Sequence, residues 1–227
     1  MAKVIITTDV HGYNMDRINN LEYDYILDCG DFFHGNKAVN NTKGEMAIPF
    51  GKKYDAIACG NHDYRYKIDR FLEISKQVNF VACNLLDKKS NELMFKPYFL
   101  LGNDGQGNYE LGVIGVASNS GLPKGVKAIA TINVPKEIQK WADLIRNKCK
   151  RVIVIAHYPC SQKGANAISR MIEKVHGIDA FFGGHAHILC IREQKDAEKM
   201  IVQYAEGGEY LNNLIEYDTE TNSVKIC

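Results

Sequence analysis

Short apolar runs that stop at a glycine or a polar residue recur along this chain. Val4-Ile5-Ile6-Thr7-Thr8, Tyr25-Ile26-Leu27-Asp28-Cys29, Tyr54-Asp55-Ala56-Ile57-Ala58-Cys59, Phe80-Val81-Ala82-Cys83, residues 151–156 and Asp179-Ala180-Phe181-Phe182 are too short for helices and apolar at nearly every position. Such runs read as strands buried on both faces, as in parallel sheets covered by helices. Helical spacing is predicted over 15–21, 45–48, 67–78, 135–149 and 165–175. In 67–78, Ile68, Phe71, Leu72 and Ile74 share a face; in 135–149, a proline opens the helix and Ile138, Trp141, Ala142 and Ile145 share a face. Residues 95–101 and 110–116 read as strands around the turn Gly102-Asn103-Asp104-Gly105. The stretch 117–133 shows no assignable pattern. The tail, 200–205, 212–217 and 224–226, reads as strands without helices. Strand–helix alternation followed by a β-only tail predicts an α/β (α+β layered) fold with more than one sheet and helices outside.

Composition narrows the class. The chain has 227 residues, 45% of them hydrophobic, enough for a substantial core. No Pro/Gly/Ser-rich linker divides it, so a single domain over 1–227 is expected. Its 28 basic and 27 acidic residues leave a formal charge of +1, which speaks against a large nucleic-acid or membrane footprint. The sequence contains no apolar stretch long enough for a signal peptide or a transmembrane helix, so a cytoplasmic protein is expected. Seven scattered cysteines, an odd number without a CxxC pair, read as reduced and mostly buried thiols.

The chemistry is concentrated where the predicted strands end. Five such ends deliver Asp9 and His11, Asp31, Asn61 and His62, His157, and His185 with His187, which includes five of the seven histidines. Open α/β sheets place their sites at the carboxyl ends of strands. Residues two apart in extended chain point the same way, so Asp9 with His11, and His185 with His187, are each expected to aim at one place. Imidazole, carboxylate and amide oxygen together suit borderline divalent metals such as Mn, Fe, Zn or Ni. A single such histidine is more often a satisfied core residue; five beside loop glycines are a site. His62 can carry a proton near neutral pH, and Asp63 can hold its imidazole in one tautomer.

Asp9-x-His11, Gly30-Asp31, Gly60-Asn61-His62-Asp63, His157 and Gly184-His185-x-His187 resemble, in order, the five blocks of the calcineurin-like metallophosphoesterases. Asp28-Cys29-Gly30-Asp31-Phe32-Phe33, Phe95-Lys96-Pro97-Tyr98 and Gly112-Val113-Ile114-Gly115 are similar, within that superfamily, to the catalytic domain of the 5′-nucleotidases. The resemblance implies a two-sheet β-sandwich flanked by helices (α/β/β/α) with two divalent metal ions between the sheets. It implies that Asp9, His11, Asp31 and His187 hold one ion, and that Asp31, Asn61, His157 and His185 hold the other. It further implies that a bridging hydroxide attacks phosphorus and that His62, held by Asp63, protonates the leaving oxygen. The substrate class is a small-molecule phosphate ester, with nucleotides as candidates. A phosphodiesterase or nuclease, or a non-catalytic module keeping the fold, are the alternatives, and a partner subunit is compatible with any of them. Two positions depart from the nucleotidase pattern: Asp63 where Glu is usual, and His34, where Gln often follows the Phe-Phe pair; His34 reads as a polar loop residue, with an extra phosphate or metal contact as the alternative. Nucleotidases of this kind add a second domain that stacks the base. The sequence reaches Cys227 without one, so an exposed hydrolytic centre with weak preference among bases is expected.

Overall fold

The computed structural model describes residues 2–160, 167–195, 201–206 and 214–227. In chain order, the first half contributes β1 (Lys3–Thr7), a 3₁₀ turn over Met15–Asn20, β2 (Tyr25–Asp28), α1 (Lys37–Asn41), α2 (Ile48–Gly51), β3 (Ala56–Ala58), α3 (Lys67–Ser75) and β4 (Phe80–Val81). Then come β5 (Leu85–Asp87), β6 (Tyr98–Asn103), β7 (Tyr109–Val116), β8 (Val126–Ala128), α4 (Val134–Ile145) and β9 (Cys149–Ala156). Last are α5 (Ile168–Ile172), β10 (Ala180–Gly183), β11 (Cys190–Lys195), β12 (Ile201–Glu206), β13 (Ile215–Asp218) and β14 (Ser223–Ile226).

Two six-stranded sheets result, ordered β14-β13-β1-β2-β3-β4 and β11-β12-β10-β9-β7-β6. Strands β1 to β4 run parallel, with β4 at one edge of the first sheet, as do β7, β9, β10 and β12 in the second. Antiparallel strands lie at the other edge of the first sheet, β13 and β14, and at both edges of the second, β6 and β11. The apolar runs alternate between two cores, as a period of two requires. Val4, Ile6, Leu27 and Ala58 face Val113, Ile153, Ile155 and Phe182 between the sheets. Ile5, Ile26, Ile57 and Phe80 face outward onto Val39, Phe71 and Ile74, two of which lie on α3. Val152, Val154 and Phe181 face outward onto Ile138, Ala142 and Ile145 of α4 and Ile168 and Met171 of α5. This is the expected four-layer α/β/β/α arrangement.

The differences from the sequence reading are local. The helix over 135–149 ends at Ile145, because the chain turns through 3₁₀ residues Arg146–Lys148 into β9. Arg146 fixes that turn by donating to the carbonyls of Cys149 and Lys150 and pairing with Asp179. The predicted helix over 15–21 is instead the 3₁₀ turn Met15–Asn20, with Leu21 already extended. In the unassigned 117–133, β8 pairs with β5 in a small separate ladder. The buried Asn84 amide pins the start of that stretch, accepting from Ala117 N–H and donating to its carbonyl, each at 2.8 Å. Helix α1 was hidden in an Asn-rich stretch; the Asn36 side chain caps it by accepting from Ala38 N–H at 2.8 Å. The predicted helix 165–175 is seen as α5, and its predicted start lies outside the described residues, as do parts of 200–205 and 212–217. None of the seven cysteines forms a disulfide, and five are buried. No helix among the described residues is long and apolar enough to cross a membrane.

Candidate metal centre

Three strands of the first sheet and two of the second end at one place. Asp9 and His11 follow β1, Asp31 follows β2, Asn61 and His62 follow β3, His157 follows β9, and His185 and His187 follow β10. Backbone bonds tie these loops together. Asp9 N–H donates to the Gly30 carbonyl at 3.0 Å and His11 N–H to the Asp31 carbonyl at 2.8 Å. His62 N–H donates to Asp31 Oδ1 at 2.7 Å, and His185 N–H reaches the Asp9 carboxylate at 3.0 Å, which links the two sheets. Gly60 permits the close approach of β3's loop to Asp31: a Cβ there would lie 2.1 Å from Asp31 Oδ1 and 2.3 Å from its backbone nitrogen.

The convergence of the paired residues has a different cause from the one expected. Asp9 (φ 52°), His11 (φ 50°), Asp31 (φ 64°), His185 (φ 83°) and His187 (φ 54°) all lie in the left-handed region, so these loops are coiled, not extended. That conformation is unfavourable for residues bearing a Cβ, by roughly 1–2 kcal/mol each, and Asp and His tolerate it better than most. Five such residues at one place mark a site whose geometry is imposed by the surrounding fold. The pairs also divide their contacts. His187 Nε2 lies 3.5 Å from Asp9 Oδ1 and its ring stacks on His11 at 5.3 Å, whereas the His185 ring meets His157 edge-on at 5.1 Å.

Two histidines have their tautomer fixed by carbonyls, which only accept. His11 Nδ1 lies 2.8 Å from the His34 carbonyl, and His157 Nδ1 lies 2.9 Å from the Cys29 carbonyl. Each Nδ1 therefore carries a proton and each Nε2 turns its lone pair inward. Both face one oxygen: Asp31 Oδ2 is 3.2 Å from His157 Nε2 and 3.8 Å from His11 Nε2. Lone pair facing carboxylate requires positive charge between them, a proton or a cation. Burial works against a protonated His157, but the Asp31 carboxylate outweighs it and holds this imidazole up at about 10. Burial likewise opposes the Asp31 charge, and His157, with the His62 N–H, holds the carboxyl well below its usual range. Asn61 Oδ1 is buried with no hydrogen-bond partner among the described residues, an arrangement that otherwise costs roughly 1–3 kcal/mol.

Side-chain ligand atoms of Asp9, His11 and His187, of His11, Asp31 and His62, and of Asp9, Asp31 and His157 each gather within 4.8 Å of one another. These nitrogen and oxygen donors, the unpartnered Asn61 oxygen and the inward lone pairs fit divalent cations. Thr8, which the sequence reading passed over, supports the cluster by donating to Asp9 Oδ2 at 2.7 Å.

Asp63 is placed elsewhere. It is fully buried, and its carboxylate accepts four backbone N–H groups: Gly60 at 2.8 Å, Phe33 at 2.9 Å, Phe32 at 3.0 Å and Asp31 at 3.1 Å. Those donors fill the roughly four acceptor positions of a carboxylate, so the expected contact with the His62 imidazole does not form. Burial and the neighbouring Asp31 charge push the Asp63 carboxyl up to about 6, against the Phe33 and Gly60 N–H groups. Its role is to knit the β2 and β3 loops. The His62 ring instead finds His34, Nδ1 to Nδ1 at 3.0 Å. Burial pushes His62 down to about 4, with His11, His34 and Arg65 acting against the Asp31 carboxylate that would raise it.

The family model for calcineurin-like phosphoesterases matches residues 2–189. A 5′-nucleotidase of Vibrio vulnificus is 27% identical over 149 residues, covering 59% of this chain and 26% of that protein. A snake venom 5′-nucleotidase of Naja atra is 28% identical over 179 residues, covering 71% of this chain and 31% of that protein. The chain thus spans less than a third of the length of these two relatives. The fold matches a solved 5′-nucleotidase precursor from Thermus thermophilus with a TM-score of 0.79 at 18% identity, over 99% of this chain and 53% of that one.

Proposed function

This chain belongs to the calcineurin-like phosphoesterase family, and on that premise we propose that it is a metal-dependent hydrolase of small phosphate esters, nucleotides among them. The observation that carries the reading is Asp31: one buried carboxylate oxygen lies against the inward nitrogens of histidines from both sheets. A carboxylate so placed is suited to being shared between two cations. Asp9, His11, Asp31 and His187 would hold one ion, and Asp31, Asn61, His157 and His185 the other. Two divalent ions there would supply neutralisation of the phosphate oxygens and acidification of a water toward pKa ~7.

The chain's own residues do the rest. Asp9 and Asp31 bring carboxylate oxygens to the cluster, where they attract positive charge, a proton or a cation. His11 and His157, locked by the His34 and Cys29 carbonyls, present their Nε2 lone pairs without rotating. His62 lies beside His11, ring centroids 4.7 Å apart and nearly perpendicular, and is partly exposed, so it can reach the ester oxygen that departs. Donating its Nε2 proton to that oxygen leaves a neutral alcohol in place of an alkoxide.

The test is turnover of p-nitrophenyl phosphate and glycerol phosphate with manganese added, by the wild type and by His62→Ala. The wild type should hydrolyse both. The variant should lose ~10²–10⁴-fold on glycerol phosphate, the usual worth of a general acid, and much less on the nitrophenyl ester, whose leaving group needs little protonation. Equal losses on both esters would remove His62 from the proton-transfer role, and a wild type inactive on both would overturn the hydrolase reading.

A further inference from the structure

We propose that His34 is the positioning residue of His62: its Nδ1 accepts the His62 Nδ1–H and so fixes the ring with Nε2 turned to the substrate. This deepens the hydrolase reading and rests on it. The contact is direct, 3.0 Å between the two Nδ1 atoms, with ring centroids 5.1 Å apart. Two imidazole nitrogens at that distance share one proton between a donor and an acceptor. With Nδ1 committed to His34, Nε2 is the nitrogen of His62 left for the ester.

His34 is itself held from three sides, as a positioning residue must be. Its carbonyl accepts the His11 Nδ1–H at 2.8 Å, so one residue orients both a candidate metal ligand and the candidate acid. The Tyr66 ring packs on its imidazole at 5.3 Å. The Tyr66 hydroxyl donates to Asn40 Oδ1 at 2.9 Å, and Asn40 in turn brackets Gly35, accepting from its N–H at 2.9 Å and donating to its carbonyl at 3.0 Å. The neighbouring carboxylate that could have played this part, Asp63, is consumed by four backbone donors.

The proton balance is simple. His62 enters the step as the imidazolium, its second proton taken from water onto Nε2. As a water oxygen bonds to phosphorus and the ester P–O bond opens, the Nε2–H bond breaks and an O–H bond forms on the departing ester oxygen. His62 is left neutral, with its remaining proton on Nδ1 and still bonded to His34. His34 keeps its own proton on Nε2 throughout, and water restores the proton to His62 between turnovers. A neutral acceptor also adds no negative charge beside an anionic phosphate, where a carboxylate would repel it.

The experiment combines ring-nitrogen NMR on the zinc-loaded, ¹⁵N-labelled chain with kinetics on the two esters. His62 should show a single Nδ1–H tautomer in the wild type. In His34→Ala that tautomer should give way to a mixture, and kcat on glycerol phosphate should fall roughly tenfold to a hundredfold, part of what a general acid supplies. KM, zinc content and kcat on p-nitrophenyl phosphate should stay close to wild type. In His34→Asn, Oδ1 occupies the place of Nδ1, so both the tautomer and most of the alkyl-ester rate should return. An unchanged His62 tautomer in His34→Ala, or an equal fall on both esters without rescue by Asn, overturns the proposal. A wild type inactive on both esters refutes the hydrolase reading instead, and the tautomer measurement still decides whether His34 sets the ring.

Discussion

Replacing Asp63 by Asn separates a structural role from a catalytic one. The carboxylate accepts N–H groups from Gly60, Asp31, Phe32 and Phe33, two per oxygen. An amide in its place keeps one acceptor oxygen and aims an NH₂ group at the other two donors. Hydrogen bonds to a charged group contribute about 1.5–3 kcal/mol each. Losing two of them and making the other two neutral should cost about 4 kcal/mol, a large part of the 5–15 kcal/mol that holds a domain folded. With a urea slope of ~2–3 kcal/mol/M, the unfolding midpoint should fall by about 1.3–2 M. The donors flank Asp31 and Gly60, so the folded variant should also hydrolyse alkyl and nitrophenyl phosphates more slowly by similar factors. Urea unfolding followed by circular dichroism, with kinetics on both esters, measures each part. Stability within ~0.5 kcal/mol of wild type, with a rate loss confined to alkyl phosphates, would refute this reasoning and return Asp63 to the side of His62.

Two further outcomes are expected. Gly60→Ala places a methyl group against Asp31 Oδ1, so hydrolysis should fall more than ~10²-fold, as misplacing a reactive group by about 1 Å does, while the circular dichroism spectrum stays native; wild-type turnover would contradict the close approach. Burial, reinforced by Asp63 and Asp9, raises the carboxyl of Asp28 well above its usual value, against bonds from Thr7 and Gly30. A carboxyl raised on folding adds stability at low pH that is lost as pH rises toward the folded value. Asp28→Asn removes that dependence, so urea midpoints compared at pH 5 and pH 8 should shift in favour of the variant at the higher pH; no shift, or the opposite one, would contradict it.

The layered fold and the polar strand ends were legible because they rest on a physical contrast that sequence carries directly. Val4-Ile5-Ile6 and residues 152–156 are buried on both faces, and the Asp and His residues that follow them have no place in such a core. What was illegible depends on backbone. Asp63 looks like a partner for its neighbour His62, yet backbone N–H groups, which no sequence displays, claim it. His34 looked like a loop residue because its partner is 28 positions away. The left-handed φ of Asp9, His11, Asp31, His185 and His187 gave no signal either, since glycine, the usual marker of that conformation, is absent from all five positions. Helix α1 was masked by asparagines, one of which is its cap. The β5–β8 ladder needs a buried amide, Asn84, to set its approach.

The central claim is that Asp31 is shared between two cations. Elemental analysis of wild type and Asp31→Asn, each dialysed against manganese and then against metal-free buffer, tests it most directly. The account predicts about two ions per wild-type chain and fewer than about one in the variant, whose neutral amide cannot offset two dications. Equal metal content in the two proteins, or none in the wild type, would contradict it.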